Sequence, residues 1–224
     1  MHRGLTISVA IPCHNEEEGI EHVLRNLPPH VDEVVVIDNN STDGTADVAR
    51  TLGAIVVTEP KQGYGYAYQS GLPLATGDII ATADGDGTYP THCIPKIVDY
   101  LLDSDLDFVS ACRFPLKNRR AMHLRNVLGN KLLTVAMNAL YRFSVKDSLS
   151  GMWVFRRHCL GKMKLTSGGM PFTEEIKIEA ILHPQIEFGE YHIPYFERIG
   201  RSKLAAWRDG ARMLLFLLER RLRR

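Results

Sequence analysis

Two aspartates, Asp84 and Asp86, stand one residue apart in the segment Asp84-Gly85-Asp86-Gly87-Thr88, directly after the apolar run 79–83. Carboxylates this close, at the end of a buried strand, repel one another unless something positive sits between them. A hard divalent cation, Mg2+ or Mn2+, suits the pair, because such ions take one or two carboxylates and complete their shell with substrate phosphates. Arg198-x-Gly200-x-Ser202-Lys203 sets two cations and a hydroxyl around a glycine, a grouping suited to a diphosphate. Asp38 ends a second apolar run, where an open sheet presents a ribose or base contact. Ser41 to Thr45 read as a helix cap and turn. Gly63-Tyr64-Gly65-Tyr66 lacks the third glycine of a dinucleotide fingerprint and the Lys-Ser/Thr of a phosphate loop, so it reads as a tight turn opening a helix. The histidines have no metal-like spacing.

Something must hold these residues together, and the first half of the chain supplies it. Buried strands are expected at 5–11, 34–37, 54–57, 79–83 and 108–111, with helices between them at 17–27, 43–52, 64–75 and 94–102. β-rich apolar runs separated by helices predict an α/β protein with a mostly parallel sheet covered on both faces. In such sheets ligands bind at the carboxyl ends of the strands. Further on, 124–143 and 203–224 read as helices and 186–196 as a strand.

The 224 residues carry a net charge of +1, which conceals an asymmetry. Residues 1–112 hold five basic and 17 acidic side chains, a balance of −12; residues 113–224 hold 22 and nine, a balance of +13. Residues 113–131 include six basic side chains and no acidic one. Such a split calls for an anionic ligand or surface. Basic residues interleaved with aromatics on a sheet are not seen, so a nucleic-acid partner is not expected. Four scattered cysteines without a C-x-x-C pair suggest neither a disulfide framework nor a zinc site, and favour a reducing compartment. The longest apolar run, 213–218, is far below the roughly 20 residues of a spanning helix, so any membrane contact is expected to be peripheral.

Seven blocks in order carry a resemblance over nearly the full length: P-x-x-N-E at Pro12–Glu16, V-I-D-N-N-S-T-D-G-T from Val36, G-Y-G-x-A-Y from Gly63, D-G-D-G-T-Y from Asp84, D-S-L-S-G-M from Asp147, E-I-K-I-E-A from Glu175 and R-I-G-R-S-K-L from Arg198. The chain resembles an inverting family-2 glycosyltransferase of the GT-A fold, in the dolichol-phosphate mannose synthase-like branch. The resemblance implies transfer of a hexose from a nucleotide sugar to a polyprenyl phosphate, on the cytoplasmic face of a membrane and with Mg2+ or Mn2+. GDP-mannose, UDP-glucose and UDP-N-acetylglucosamine all remain open as donors.

The same resemblance places Pro12, Glu16 and Asp38 in the base pocket, with Asn15 among the nucleotide-sugar contacts. Asp84 and Asp86 form the D-x-D metal site, and Arg198, Ser202 and Lys203 hold the diphosphate. Arg113 meets the acceptor phosphate, and Ser150, Gly151 and Glu175 lie on the sugar and acceptor side. Cys13 stands where relatives often have an aromatic residue, and Thr88 where some have a glutamine that ligates the metal. The implied organisation is a glycosyltransferase domain over 1–203, divided into a nucleotide-sugar half 1–112 and an acceptor half 113–203, followed by a basic amphipathic helix over 204–224. Two other readings compete: transfer to a soluble or saccharide hydroxyl with Glu175 as general base, and nucleotide-sugar binding without turnover.

Overall fold

Seven strands build one sheet in the computed structural model, which describes residues 1–203 and 206–223. In chain order they are β1 (Ile7–Cys13), β2 (Glu33–Asp38), β3 (Ile55–Thr58), β4 (Ile79–Thr82), β5 (Phe108–Cys112), β6 (Trp153–Arg156) and β7 (Phe188–His192). Across the sheet the order is β3-β2-β1-β4-β6-β5-β7. Every pairing is parallel except those of β6 with β4 and β5. The helices are α1 (Glu17–Arg25), α2 (Thr45–Thr51), α3 (Tyr64–Gly71), α4 (Ile94–Asp103), α5 (Leu124–Tyr141), α6 (Phe172–Leu182) and α7 (Ala206–Leu222).

The sheet is buried on both faces because its central strands are apolar at odd and even positions alike. Val9 and Ile11 of β1 enter one cluster, with Ile97, Val98 and Leu101 of α4. Ala10 enters the opposite one, with Tyr68 of α3, Trp153 and Phe155 of β6 and Phe172 of α6. This is the two-residue alternation of a strand. A third cluster joins Leu133 and Met137 of α5, Ile178 of α6, and Met213 and Leu217 of α7.

Two elements, β6 and α6, are absent from the sequence reading. β6 lies outside the strand–helix alternation of the first half, and α6 places Glu174, Glu175 and Lys177 among its buried residues, so it has no polar stripe. The 64–75 helix stops at Gly71, and Pro73 continues it as a short 3-10 turn. The 124–143 helix stops at Tyr141, where Arg142 turns left-handed at φ +59°. The late strand shortens to 188–192. Of the 203–224 helix, residues 206–222 are helical; positions 204, 205 and 224 of that expectation lie outside the described residues.

Candidate functional site

Because β1, β2, β4, β5 and β7 all run the same way, their carboxyl ends share one edge of the sheet. That edge delivers Asn15 and Glu16 after β1, Asp38 at the end of β2, Asp84 and Asp86 after β4, Arg113 after β5 and Arg198 after β7. β6 is antiparallel, so its amino end brings Ser150 and Gly151 to the same edge.

Asp86 is the better satisfied of the paired carboxylates. Its Oδ1 accepts from the Thr88 amide at 3.0 Å and the Thr88 hydroxyl at 2.7 Å, and its Oδ2 meets Arg198 at 2.5 Å. Among the described residues Asp84 accepts one hydrogen bond, from the Tyr64 hydroxyl at 3.1 Å. Burial, then the neighbouring Asp86, push the Asp84 carboxyl up to about 7. A carboxyl so poorly compensated fits a divalent cation between the pair. Among the described residues no cluster of three or more His, Cys, Asp or Glu is present to hold a metal. Asp84 and Asp86 would therefore be the protein's share of the shell, with substrate oxygens and water as the rest.

The loop carrying the pair is packed tightly. A Cβ at Gly85 would lie 2.4 Å from the Cys13 sulfur, and one at Gly19 of α1 would lie 2.4 Å from the Gly85 carbonyl oxygen. Cys13 thus fills the floor beneath the D-x-D loop. Thr88 spends both donors on Asp86, which fixes that carboxylate's orientation.

Residues 196–203 cross the edge as a strap. Phe196 and Ile199 donate their amides to the Thr88 and Asp86 carbonyls at 3.0 and 2.9 Å. Arg198 bridges Asp86 and Glu16, and Lys203 donates to Glu16 at 2.7 Å and to the Asn15 carbonyl at 2.5 Å. Ser202 is exposed between them. The structure therefore brings Glu16, Asp86, Arg198 and Lys203 into one ion-paired group. Asn15, at φ +53°, accepts from the Thr42 amide at 2.7 Å, and Asp38 accepts from the Ser41 amide at 3.2 Å, so both brace the turn before α2. Pro12 is buried in β1 opposite Ile37.

On the other side of Asp84 lies Arg113, 6% exposed. Its Nε and Nη2 grip Asp147 at 2.8 Å each, and its guanidinium lies 5.2 Å from the centre of the Tyr195 ring. Asn130 of α5 donates to Asp147 at 2.9 Å. Burial alone would raise the Asp147 carboxyl, but Arg113 holds it well below the usual range. Beneath it Lys177 of α6, fully buried, donates to the Asp147 and Ser148 carbonyls at 2.8 and 2.9 Å, and burial lowers its amine to about 8. Gly151 donates its amide to the Tyr89 hydroxyl at 2.7 Å, and a Cβ there would lie 2.3 Å from the Tyr64 hydroxyl. Ser150 is buried, and its hydroxyl has no partner among the described residues.

Glu175 stands apart. It is fully buried on α6, and its hydrogen bonds run to Thr166, Ser167 and Arg220. None reaches the carboxylate pair. Sequence reasoning missed Tyr64, Asp147 and Lys177: Tyr64 passed as part of a turn, and Lys177 is one cation inside an apolar helix. Asp147 was visible as the first residue of its block, without a role.

A mostly parallel sheet whose carboxyl edge sets paired carboxylates opposite a cationic strap is an architecture of the GT-A type. The chain belongs to glycosyl transferase family 2, whose sequence profile matches residues 8–163. It is 34% identical over 220 residues to the low-salt glycan biosynthesis hexosyltransferase Agl6 of Haloferax volcanii, covering 95% of this chain and 53% of that one. It is 31% identical over 211 residues to the dolichyl-phosphate hexose transferase of the same organism, covering 92% and 89%. The chain thus spans about half of the first relative and most of the second. Among solved structures it is similar to glucosyl-3-phosphoglycerate synthase from Mycobacterium tuberculosis, in complex with Mn2+, UDP and phosphoglyceric acid. The TM-score is 0.75 with 24% identity, over 97% of this chain and 78% of the other.

Proposed function

We propose that this protein transfers a hexose from a nucleotide sugar to a polyprenyl phosphate at a membrane surface, with Mg2+ or Mn2+ at Asp84 and Asp86. The observation that carries this reading is Arg113. It is a buried guanidinium held on two nitrogens by Asp147 beside the carboxylate pair, a prebuilt receptor for a phosphate. The relative named as a dolichyl-phosphate hexose transferase supports the acceptor class.

Each side chain then has a task. Asp38, Asn15 and the end of β1 form the floor for the nucleoside. Arg198 and Lys203, now paired with Glu16 and Asp86, turn to the diphosphate when it enters, and Ser202 adds a hydroxyl. The bound cation would neutralise the departing nucleoside diphosphate. Arg113 holds the acceptor phosphate, one oxygen of which attacks the anomeric carbon as the carbon–diphosphate bond breaks on the opposite face, inverting configuration. A phosphate monoester has its second pKa near about 6 and is already mostly dianionic at neutral pH, so no general base is needed. That fits Glu175, whose carboxylate is consumed by donors in a dry interior. Transfer to a hydroxyl would need a free base.

The lipid part of the acceptor has a matching surface. Leu124, Leu128, Leu132 and Val135 of α5 are exposed at one helical spacing, although the opposite side of α5 is packed in the core. Trp207, Leu215, Leu218 and Leu222 of α7 are exposed as well, and α5 packs on α7. Exposed arginines and lysines such as Arg125, Lys131, Arg208, Arg212 and Arg221 lie on the same two helices. An apolar stripe with a basic flank suits the interface of an anionic bilayer. Among the described residues no helix is long and apolar enough to cross a membrane.

The test is a panel of radiolabelled nucleotide sugars with polyprenyl phosphate, with and without Mg2+ or Mn2+. Metal-dependent label in the organic phase is expected. Label confined to water-soluble product, or full metal-dependent activity of Asp86→Ala, overturns the reading.

A further inference from the structure

We infer that Glu175 and Arg220 are positioning residues that tie α7 to the donor carboxylates through the loop at 166–168 and Tyr64. The inference rests on the donor-site reading above and assigns a role to a buried carboxylate and a half-buried guanidinium that the reaction itself does not use.

The path is continuous. Arg220 of α7 donates through Nη1 to Glu175 at 2.8 Å and through Nη2 to Glu179 at 2.7 Å. Glu175 in turn collects the Thr166 amide at 3.0 Å, the Thr166 hydroxyl at 2.9 Å and the Ser167 amide at 2.8 Å. A fully buried carboxylate with this set of donors fixes the loop that supplies them. The loop then clamps the start of α3. Gly168 accepts the Tyr66 amide at 3.0 Å, and Ser167 accepts the Gln69 side chain at 2.8 Å. A Cβ at Gly65 would sit 1.8 Å from the Ser167 carbonyl oxygen, and one at Gly168 would sit 2.1 Å from the Tyr66 ring, so the two backbones touch with no room for a side chain. Gly63, at φ +156°, would meet the Gly168 carbonyl oxygen at 2.3 Å. This clamp aims Tyr64, whose hydroxyl donates to Asp84.

The two glycines of the Gly63-Tyr64-Gly65-Tyr66 turn are therefore required by the 166–168 loop. Glu175 belongs to the donor site at one remove: it sets the partner of Asp84. α7 also bears the exposed Trp207 and Leu218, so the helix proposed to meet lipid carries in its last turn the arginine that closes this path.

The test is a double-mutant cycle on the full-length chain between Arg220→Gln and Tyr64→Phe, with Arg220→Lys as the conservative control. The readout is apparent Mn2+ affinity in the presence of UDP or GDP. Arg220→Gln and Tyr64→Phe should each weaken Mn2+ binding about three- to tenfold, and the double variant should be no worse than Tyr64→Phe alone, because both act on one path. Arg220→Lys should recover most of the loss. Additive effects, or unchanged Mn2+ affinity in Arg220→Gln, would overturn the inference. Amide hydrogen exchange on the free protein gives a measure independent of any nucleotide. Arg220→Gln should speed exchange at Tyr66 and Ser167, and unaltered protection there also overturns it. If the wild-type chain shows no nucleotide-supported Mn2+ binding, the donor reading falls, and exchange alone decides the positioning role.

Discussion

The two sides of the sheet edge carry opposite kinds of electrostatic preparation. On the donor side Asp84 is half-buried with one phenolic partner among the described residues, and Asp86 leans on an arginine from a surface strap. On the acceptor side Arg113 and Asp147 are both buried and bonded at two points, with Asn130 and Lys177 closing the remaining positions. In the proposed reaction the donor side would be completed by a cation and a diphosphate. The acceptor side is an ion pair already formed between Arg113 and Asp147, whose arginine would offer its remaining N–H groups to the proposed phosphate. A transferase binding two anionic substrates benefits from this difference, because one pocket assembles on binding while the other is prebuilt.

The largest test of that contrast removes a partner from each side. Asp147→Ala leaves a buried guanidinium unpaired and should cost about 3–5 kcal/mol in chemical denaturation. Glu16→Gln loosens a strap whose arginine is 26% exposed, and its cost should stay within about 1 kcal/mol. Equal losses would mean that the strap is as much a structural element as the Arg113 pair.

Next in size is Asp86→Ala, expected to lower transfer about a hundredfold or more by removing half of the protein's metal shell. Its thermal stability should hold or rise, because like-charge repulsion at Asp84 disappears with it. A proportionate fall in stability would place Asp86 among the structural carboxylates.

Gly151→Ala sharpens the boundary between the sides, since Gly151 lies against both Tyr64 and Asp84. A methyl group 2.3 Å from the Tyr64 hydroxyl must push the phenol off the carboxylate. Transfer should fall about tenfold, with Mn2+ affinity dropping in step, as in Tyr64→Phe. A lower acceptor affinity with unchanged Mn2+ affinity would assign Gly151 to the acceptor side alone.

What the sequence disclosed follows the same division. Asp84 and Asp86 stood out as candidates from Asp-x-Asp after an apolar strand, and Arg198 and Lys203 from cations flanking a glycine; the structure brings Arg198 onto Asp86. The parallel sheet followed from strands apolar on both faces. The support for Arg113 was hidden: Asp147, Asn130 and Lys177 come from three segments that approach one another only after β6 inserts between β4 and β5. β6, no shorter than β3 and β4, falls outside the strand–helix alternation that reveals those two, and α6 is buried on nearly every side, which removes the stripe that marks a helix. Glu175 shows the limit most clearly. A glutamate in a recognised block invites a chemical role, and only its contacts reveal that it holds a loop.

The smallest effect probes the acceptor side from beneath. Burial lowers the Lys177 amine to about 8, against 10.5 for a free lysine. Asp147, Glu190 and Glu174 favour its charge and Arg113 opposes it. Below about pH 8 the folded and unfolded chains both carry the proton, so Lys177 adds no slope to stability. Between about pH 8 and 10.5 the unfolded chain still holds a proton that the folded chain has released, so stability gains with rising pH. Other groups titrate in that window, and the comparison with Lys177→Met isolates this one. The Tm of the wild type minus that of Lys177→Met should increase by a few degrees from pH 7.5 to pH 10, on the order of 1 kcal/mol. A flat difference would mean that the ammonium is better compensated than its two carbonyl partners allow, and that the acceptor side carries one more buried positive charge across the whole range.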